Sequence, residues 1–234
     1  MLWLPLLAML AGPALQDAPP ATPVATVADT PEMAQARANK PLMKAGPKFV
    51  SGPSAHEAFP EAARAAGAHG KVLISGIIGA DGKFLQPIVA IGSRSALLDA
   101  AALAAAQASV FEPARDAAGN AIAVPATVPF EFSGARSPGK GGGVLRYTCG
   151  QFARDQDWWA ANWPETEHDE LYTMTLGVMV IQGGMNLETI QRATRDLKKH
   201  WPEAIEACRK KPDALLVDVL PEGKAMRALA ERDR

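Results

Sequence analysis

Apolar positions between residues 70 and 132 recur at two different periods. Val72, Ile74, Gly76 and Ile78 alternate with Leu73, Ser75 and Ile77, a period of two that predicts a strand. Asp81-Gly82 supplies the positive φ angles of a hairpin turn, and Phe84 to Ile91 returns as a second strand. Pro87 cannot donate to a ladder, so that strand reads as an edge or as bulged. Before the hairpin, Pro60 to Ala66 reads as a short helix stopped by Gly67. After it, Ser95 is placed to cap a helix running to about Ala108, with Leu98, Ala102 and Ala105 as a narrow buried stripe. Phe111, a turn over Asp116 to Asn120, and then Ile122 to Phe132 complete a final strand. Pro125 and Pro129 predict that one side of this strand is unpaired. The order is that of an antiparallel sheet with helices on one face, an α+β fold.

Beyond residue 146 the period changes to that of helices. Leu171, Met174, Val178 and Ile181 repeat at helical spacing, as do Leu187, Ile190, Thr194, Leu197 and Trp201 behind a cap at Asn186. Pro202 is placed to start a further short helix carrying Ile205 and Cys208, and Pro212 another carrying Leu215, Leu216 and Val219. The stretch from Glu222 to Arg234 is expected to fray. Glu165, Glu167, His168, Asp169 and Glu170 crowd a helix start, where acidic groups meet the helix dipole, and read as a solvated face. Trp158, Trp159, Trp163 and Trp201 suit either a binding surface or half-buried packing.

Two breaks divide the chain. Residues 17–46 are rich in Ala, Pro and Thr without an apolar period, and read as an extended linker. Residues 134–146 are glycine-rich and read as a flexible joint. The expected organisation is therefore 1–16, an export segment; 17–46, linker; 47–133, the mixed domain; 134–146, linker; and 147–234, a small all-α domain. Leu2 to Leu15 is apolar over about fourteen residues, which suits a signal-peptide core where a spanning helix needs roughly 20. No Lys or Arg precedes that run, so a short uncleaved anchor is the alternative, and membrane association is expected only in that case.

Composition narrows the function. A formal charge of -1 gives neither a basic field for nucleic acid nor an acidic tail. The two cysteines, Cys149 and Cys208, fit one structural disulfide in an oxidising compartment. Zinc would need about four convergent ligands, and the histidines are scattered. Gly134 to Lys140 fits the opening of a phosphate-binding loop, but Gly141 stands where Ser or Thr must hold magnesium. No nucleophile–base arrangement accompanies His56, His69 or His200, so no enzyme and no cofactor are expected.

The run Phe59-Pro60-Glu61-Ala62-Ala63-Arg64 through Gly67, Gly70 and Val72 resembles the opening of TonB C-terminal domains. The resemblance continues in order through Asp81-Gly82, Ser93 to Asp99, Phe111-Glu112-Pro113 and Val128-Pro129-Phe130-Glu131-Phe132, covering residues 59–132. It implies a periplasmic module that binds a short segment of an outer-membrane transporter by strand addition. Val128, Phe130, Glu131 and Phe132 are then the candidate receiving edge, and the competing reading makes the aromatics core filler. The short apolar segment without an ionisable residue, and a linker of only about thirty residues, depart from motor-coupled transducers. Residues 147–220 resemble, more sparsely, periplasmic helical proteins of the HdeA acid-chaperone type, through Thr148-Cys149, Phe152, Leu176-Gly177, Cys208, Pro212 and Leu215-Leu216. That resemblance implies a disulfide-stapled fold that masks clients or pairs with a second copy.

Overall fold

Nine consecutive residue pairs join the central strand of the sheet to one of its edge strands. A computed structural model describes residues 30–134, 143–166 and 168–232. The mixed domain holds α1 (Pro31–Asn39), β1 (Lys48–Ser51), α2 (Glu61–Ala65), β2 (Gly70–Ile78), β3 (Phe84–Ile91), α3 (Ala96–Ala108), β4 (Val110–Glu112), β5 (Ala114–Arg115), β6 (Ala121–Ile122) and β7 (Val124–Phe132). The main sheet has the order β3-β2-β7, all antiparallel, with ribbons β1-β4 and β5-β6 beside it. β2 and β7 stay in register from Gly70↔Phe132 to Ile78↔Val124.

Alternation along β2 sends Val72, Ile74 and Ile78 to one face, where they meet Leu98, Ala102 and Ala105 of α3 and Ala63 of α2. Small residues on α3 let it lie close to the sheet. The opposite face was not expected to carry a helix, yet α1 packs there, Met33 and Ala36 against Ile77 and Ala123. The expected linker 17–46 is thus wrong at its C-terminal end. The missed signal is a helix start: the Thr30 hydroxyl accepts from Met33 N–H at 3.2 Å, Pro31 follows as the first helical residue, and Glu32 lies in the first turn. With only two buried positions, α1 is too short to show a period. The expected export segment lies outside the described residues, as does most of the expected joint. Its C-terminal end, Val144–Arg146, is a turn of 3₁₀ helix whose Val144 and Leu145 join the helical core.

Two glycines are required by the hairpin and by α2. Gly82 has φ of +80°, and a Cβ there would stand 2.1 Å from the Phe111 carbonyl oxygen. Gly67 has φ of +77°, and the Ala68 N–H beyond it bonds the Ala63 carbonyl at 2.9 Å, a left-handed helix stop. Ser95 precedes α3 in extended conformation but makes no side-chain cap. Asp99, in the first turn, instead ties down the segment entering the helix, its carboxylate accepting from Ser93 N–H at 2.8 Å and from the Ser93 hydroxyl at 2.9 Å. β3 is an edge strand with two register shifts against β2, as Pro87 predicted.

The C-terminal domain comprises α4 (Cys149–Asn162), α5 (Glu170–Gly183), α6 (Leu187–Lys210), α7 (Leu216–Val219) and α8 (Gly223–Arg232). Pro202 does not start a helix; it lies inside α6. A proline there costs about 3 kcal/mol, and packing offsets it because Leu197, Trp201, Ala204 and Cys208 continue one buried stripe across it. Pro202 itself is exposed, on the side where a loosened carbonyl meets water. The stripe also differs from expectation upstream: Thr189 and Ala193 are buried, while Leu187 and Ile190 face solvent. The last residues form α8, whose Ala225 and Met226 enter the core. Cys149 and Cys208 form a disulfide with Cα atoms 4.5 Å apart and a sequence separation of 59. It joins the first residue of α4 to the last turn of α6.

Closing a loop of that length removes about 4 kcal/mol of unfolded-state freedom in the chain-entropy view. Urea unfolding of the Cys149→Ser/Cys208→Ser double variant is expected to show that loss in the helical domain, matched by wild type under reducing conditions.

Candidate functional site

Two regions have the geometry of a site: the outer edge of β7 and the junction between the domains. At the edge, chain geometry decides which backbone groups are offered. Successive residues of an antiparallel strand point their N–H and C=O alternately toward and away from the partner. Pro125 and Pro129 have no N–H, and both share the parity of Thr127 and Glu131. A ladder over nine paired positions needs donors at alternate residues of β7, and because the prolines cannot donate we assign the ladder to the even-numbered residues and the outward row to the odd-numbered ones. On that row Pro125 and Pro129 have no donor, Thr127 has one, and every residue keeps its carbonyl. Among the described residues no strand pairs with it. The side chains of the expected receiving residues divide differently. Phe130 and Phe132 are buried in the sheet–helix core, Phe132 edge-on to Phe59, while Val128 and Glu131 are half-buried. The aromatic rings are therefore core, and whatever the edge receives it receives through backbone.

The second region was not foreseen. His69, at the entry to β2, is buried; its Nδ1 lies 2.9 Å from the Gly67 carbonyl oxygen and its Nε2 3.4 Å from Asp169 Oδ2. The latter is an ion-pair distance without the alignment of a hydrogen bond. Asp169 caps α5 by accepting from Tyr172 N–H at 2.9 Å, and also accepts from Gln156 Nε2 at 2.5 Å. Trp201 Nε1 donates to Gln156 Oε1 at 3.0 Å, so the chain of contacts runs from the sheet into the helical core. The reading of residues 165–170 as a solvated face is corrected here: Asp169 is buried because its charge has both an imidazole and a helix N-terminus to meet.

Trp residues of α4 complete the junction. The His69 ring stacks on Trp159 at 5.2 Å, Trp159 on Trp163 at 5.5 Å, and the Arg94 guanidinium lies 3.8 Å from the centroid of Trp163. An imidazole and a guanidinium of the sheet domain thus close the ends of an indole pair. Arg94 also donates to both oxygens of Glu165 and, at 2.6 Å, to the Asn162 carbonyl. Trp158 reaches into the sheet domain's own core cluster. Of the four tryptophans, only Trp201 belongs to the helical core. Gly67 is needed here too, since a Cβ would meet the Arg154 carbonyl oxygen at 2.8 Å.

Burial alone would depress the His69 pKa, but the pairing with Asp169 and the Gly67 carbonyl outweigh it and raise it. Burial raises Asp155 to about 6, against hydrogen bonding from Tyr147 and the charges of His69 and Arg154. Burial also lifts Tyr147 well above its ordinary value, with the neighbouring Asp155 charge adding to it. Among the described residues no three His, Cys, Asp or Glu side chains are grouped to hold a metal ion, and no helix is long and apolar enough to cross a membrane.

Both shifts act in one direction. His69 contributes stability that is complete below its unfolded pKa near 6.5 and is lost as pH rises through its higher folded value. Asp155 binds a proton more tightly folded than unfolded, so stability grows as pH falls from about 6 toward 3.8. The thermal midpoint is expected to rise between pH 8 and pH 5. His69→Gln should flatten the alkaline part of that rise, as followed by calorimetry. Below that window exposed carboxylates such as Glu165, held down by Arg94, reverse the trend.

Comparison with known families places the sheet domain. Residues 55–133 match the family described as Gram-negative bacterial TonB protein C-terminal. Neither curated proteins nor solved structures give a significant match to the chain. The match begins before α2 and ends just after β7, so it takes in the full β3-β2-β7 sheet and the helices α2 and α3 on one face. The match takes in less than half of the chain, so it is residues 55–133 that are similar to the TonB C-terminal family.

Proposed function

We propose that the protein is exported to the periplasm and binds an extended segment of an outer-membrane transporter by strand addition along the outer edge of β7. The observation that carries this reading is the placement of Pro125 and Pro129 on the outward row. β7 stays in register with β2 over its whole length, while its outer edge keeps the Thr127 donor and the carbonyl acceptors of the outward row. Such an edge accepts a guest strand through main-chain bonds, yet pairs poorly with a second copy of itself.

Thr127→Pro tests the reading, because it removes an outward donor and leaves every donor to β2 in place. Peptides drawn from the periplasmic plug segments of outer-membrane transporters are the probes, with amide chemical shifts as readout. Shifts confined to β7 and a loss of affinity of about tenfold, the worth of one well-made bond, support it. Shifts that map elsewhere, or a Thr127→Pro protein that binds like wild type, refute it.

A second reading assigns client binding to the helical domain. It is favoured by exposed apolar side chains flanking the α5–α6 turn, Met185 at 72% and Leu187 at 71%, with Ile181 and Ile190 beside them. Apolar groups gathered at a turn in this way mark interaction surfaces. The full chain is then expected to suppress aggregation of an unfolding enzyme, followed by light scattering. Met185→Ser/Leu187→Ser should remove that effect without lowering the thermal midpoint.

A further inference from the structure

A groove of ≈ 520 Å³ lies between the end of α4 and α6, with Trp159, Trp163 and Pro164 on one side and Trp201, Pro202 and Ile205 on the other. Trp159 and Trp163 are half-buried, and Pro164 and Pro202 are exposed, so rings make up much of its surface. Their polar atoms are not on offer. The Trp159 indole N–H donates to the Thr166 carbonyl at 2.9 Å, that of Trp201 donates to Gln156, and that of Trp163 is buried. The charges at the rim are engaged as well, Arg209 with Asp157 and Glu206, and Lys198 also has a partner. What the groove presents to an occupant is therefore aromatic and apolar surface.

Such a surface suits an uncharged, proline-rich segment. Pyrrolidine rings dock in aromatic-lined grooves, and a chain in the polyproline conformation is extended before it binds, so little freedom is lost. The chain carries such a segment ahead of α1: Pro19, Pro20 and Pro23 stand in a run, Ala18 to Ala28, that has no charge. Its reach is set by where the described chain starts. The Thr30 hydroxyl donates to Gln86 Oε1 on β3 at 2.9 Å, and β3 leads on to Arg94, whose guanidinium lies over Trp163 beside the groove. Gln86 and Arg94 are eight residues apart in sequence, hence at most about 28 Å apart in space. Pro20 and Pro19 stand ten and eleven residues before Thr30, a span of about 31–34 Å at the polyproline rise. The segment is long enough to follow β3 to the groove.

We propose that the occupant of this groove is the chain's own segment around Pro19, Pro20 and Pro23, its proline rings against Trp159 and Trp163. The segment leaves from the sheet domain and the groove belongs to the helical domain, so the contact straps one to the other across the junction of His69 and Asp169. This site is separate from the β7 edge and does not depend on strand addition there.

Paramagnetic broadening in the full-length, disulfide-intact chain tests it. A nitroxide is attached at Ala21→Cys with Cys149 and Cys208 kept oxidised, and the indole N–H signals are followed. Those of Trp159 and Trp163 are expected to lose most of their intensity, while amides of the β5–β6 ribbon keep theirs. Adding Pro19→Ser/Pro20→Ser/Pro23→Ser to the labelled chain should restore the indole signals. Indole signals of full intensity in the labelled chain would overturn the proposal. Equal broadening with and without the prolines would overturn it too, since proline would not be what the groove recognises. A mixture of isotope-labelled chain with spin-labelled, isotope-free chain identifies the source of the segment. Broadening as strong in that mixture as within one chain makes the occupant a second copy's segment and overturns the proposal, whereas its absence there supports it.

Discussion

A buried imidazole facing a buried carboxylate is the constraint on which the arrangement of this chain turns. Burying either His69 or Asp169 alone would leave an unpaired polar group at a cost of several kcal/mol. Each is supplied by a different domain. The sheet domain and the helical bundle therefore satisfy each other's polar requirement at one point, and the tryptophans of α4 fill the space around it. Arg94 repeats the arrangement at the far end of the indole pair, with Glu165 as its counter-charge. The glycine-rich stretch between the domains supplies connection, while orientation comes from side chains that lie far apart in sequence.

The same arrangement explains why the junction holds groups with shifted protonation. Asp155 and Tyr147 are both buried beside the junction. Tyr147 belongs to the helical core, next to the disulfide, while Asp155 sits one turn along α4 on the side facing α2. A polar cavity bordered by both domains exists only while they are docked. Its chemistry and the acid-favoured stability of the junction thus share one origin, the desolvation of charges at a domain boundary.

Much of the sheet domain was legible from residues alone. Period-two alternation at Val72 to Ile78, the Asp81-Gly82 turn and the proline positions in β3 and β7 are local signals, and each sits as expected. α1 was not legible, because a helix that buries only Met33 and Ala36 leaves no periodicity, and its start signal lay in an Ala/Pro-rich stretch. The break expected at Pro202 failed for the opposite reason: a strong local signal gave way to packing along Leu197, Trp201, Ala204 and Cys208. The His69–Asp169 pair had no local signature at all. Its members are 100 residues apart, and Asp169 follows closely on Glu165, which does face water.

The continuous register of β2 and β7 has a mechanical consequence. A guest strand pulled along the edge of β7 would load the nine-residue ladder in shear, with its bonds sharing the strain side by side instead of opening one at a time. β2 begins at Gly70, directly after His69. Tension entering at the sheet edge therefore passes through the ladder to the buried imidazole and into the helical bundle. The docked domains would then respond as one body until the junction itself gives way.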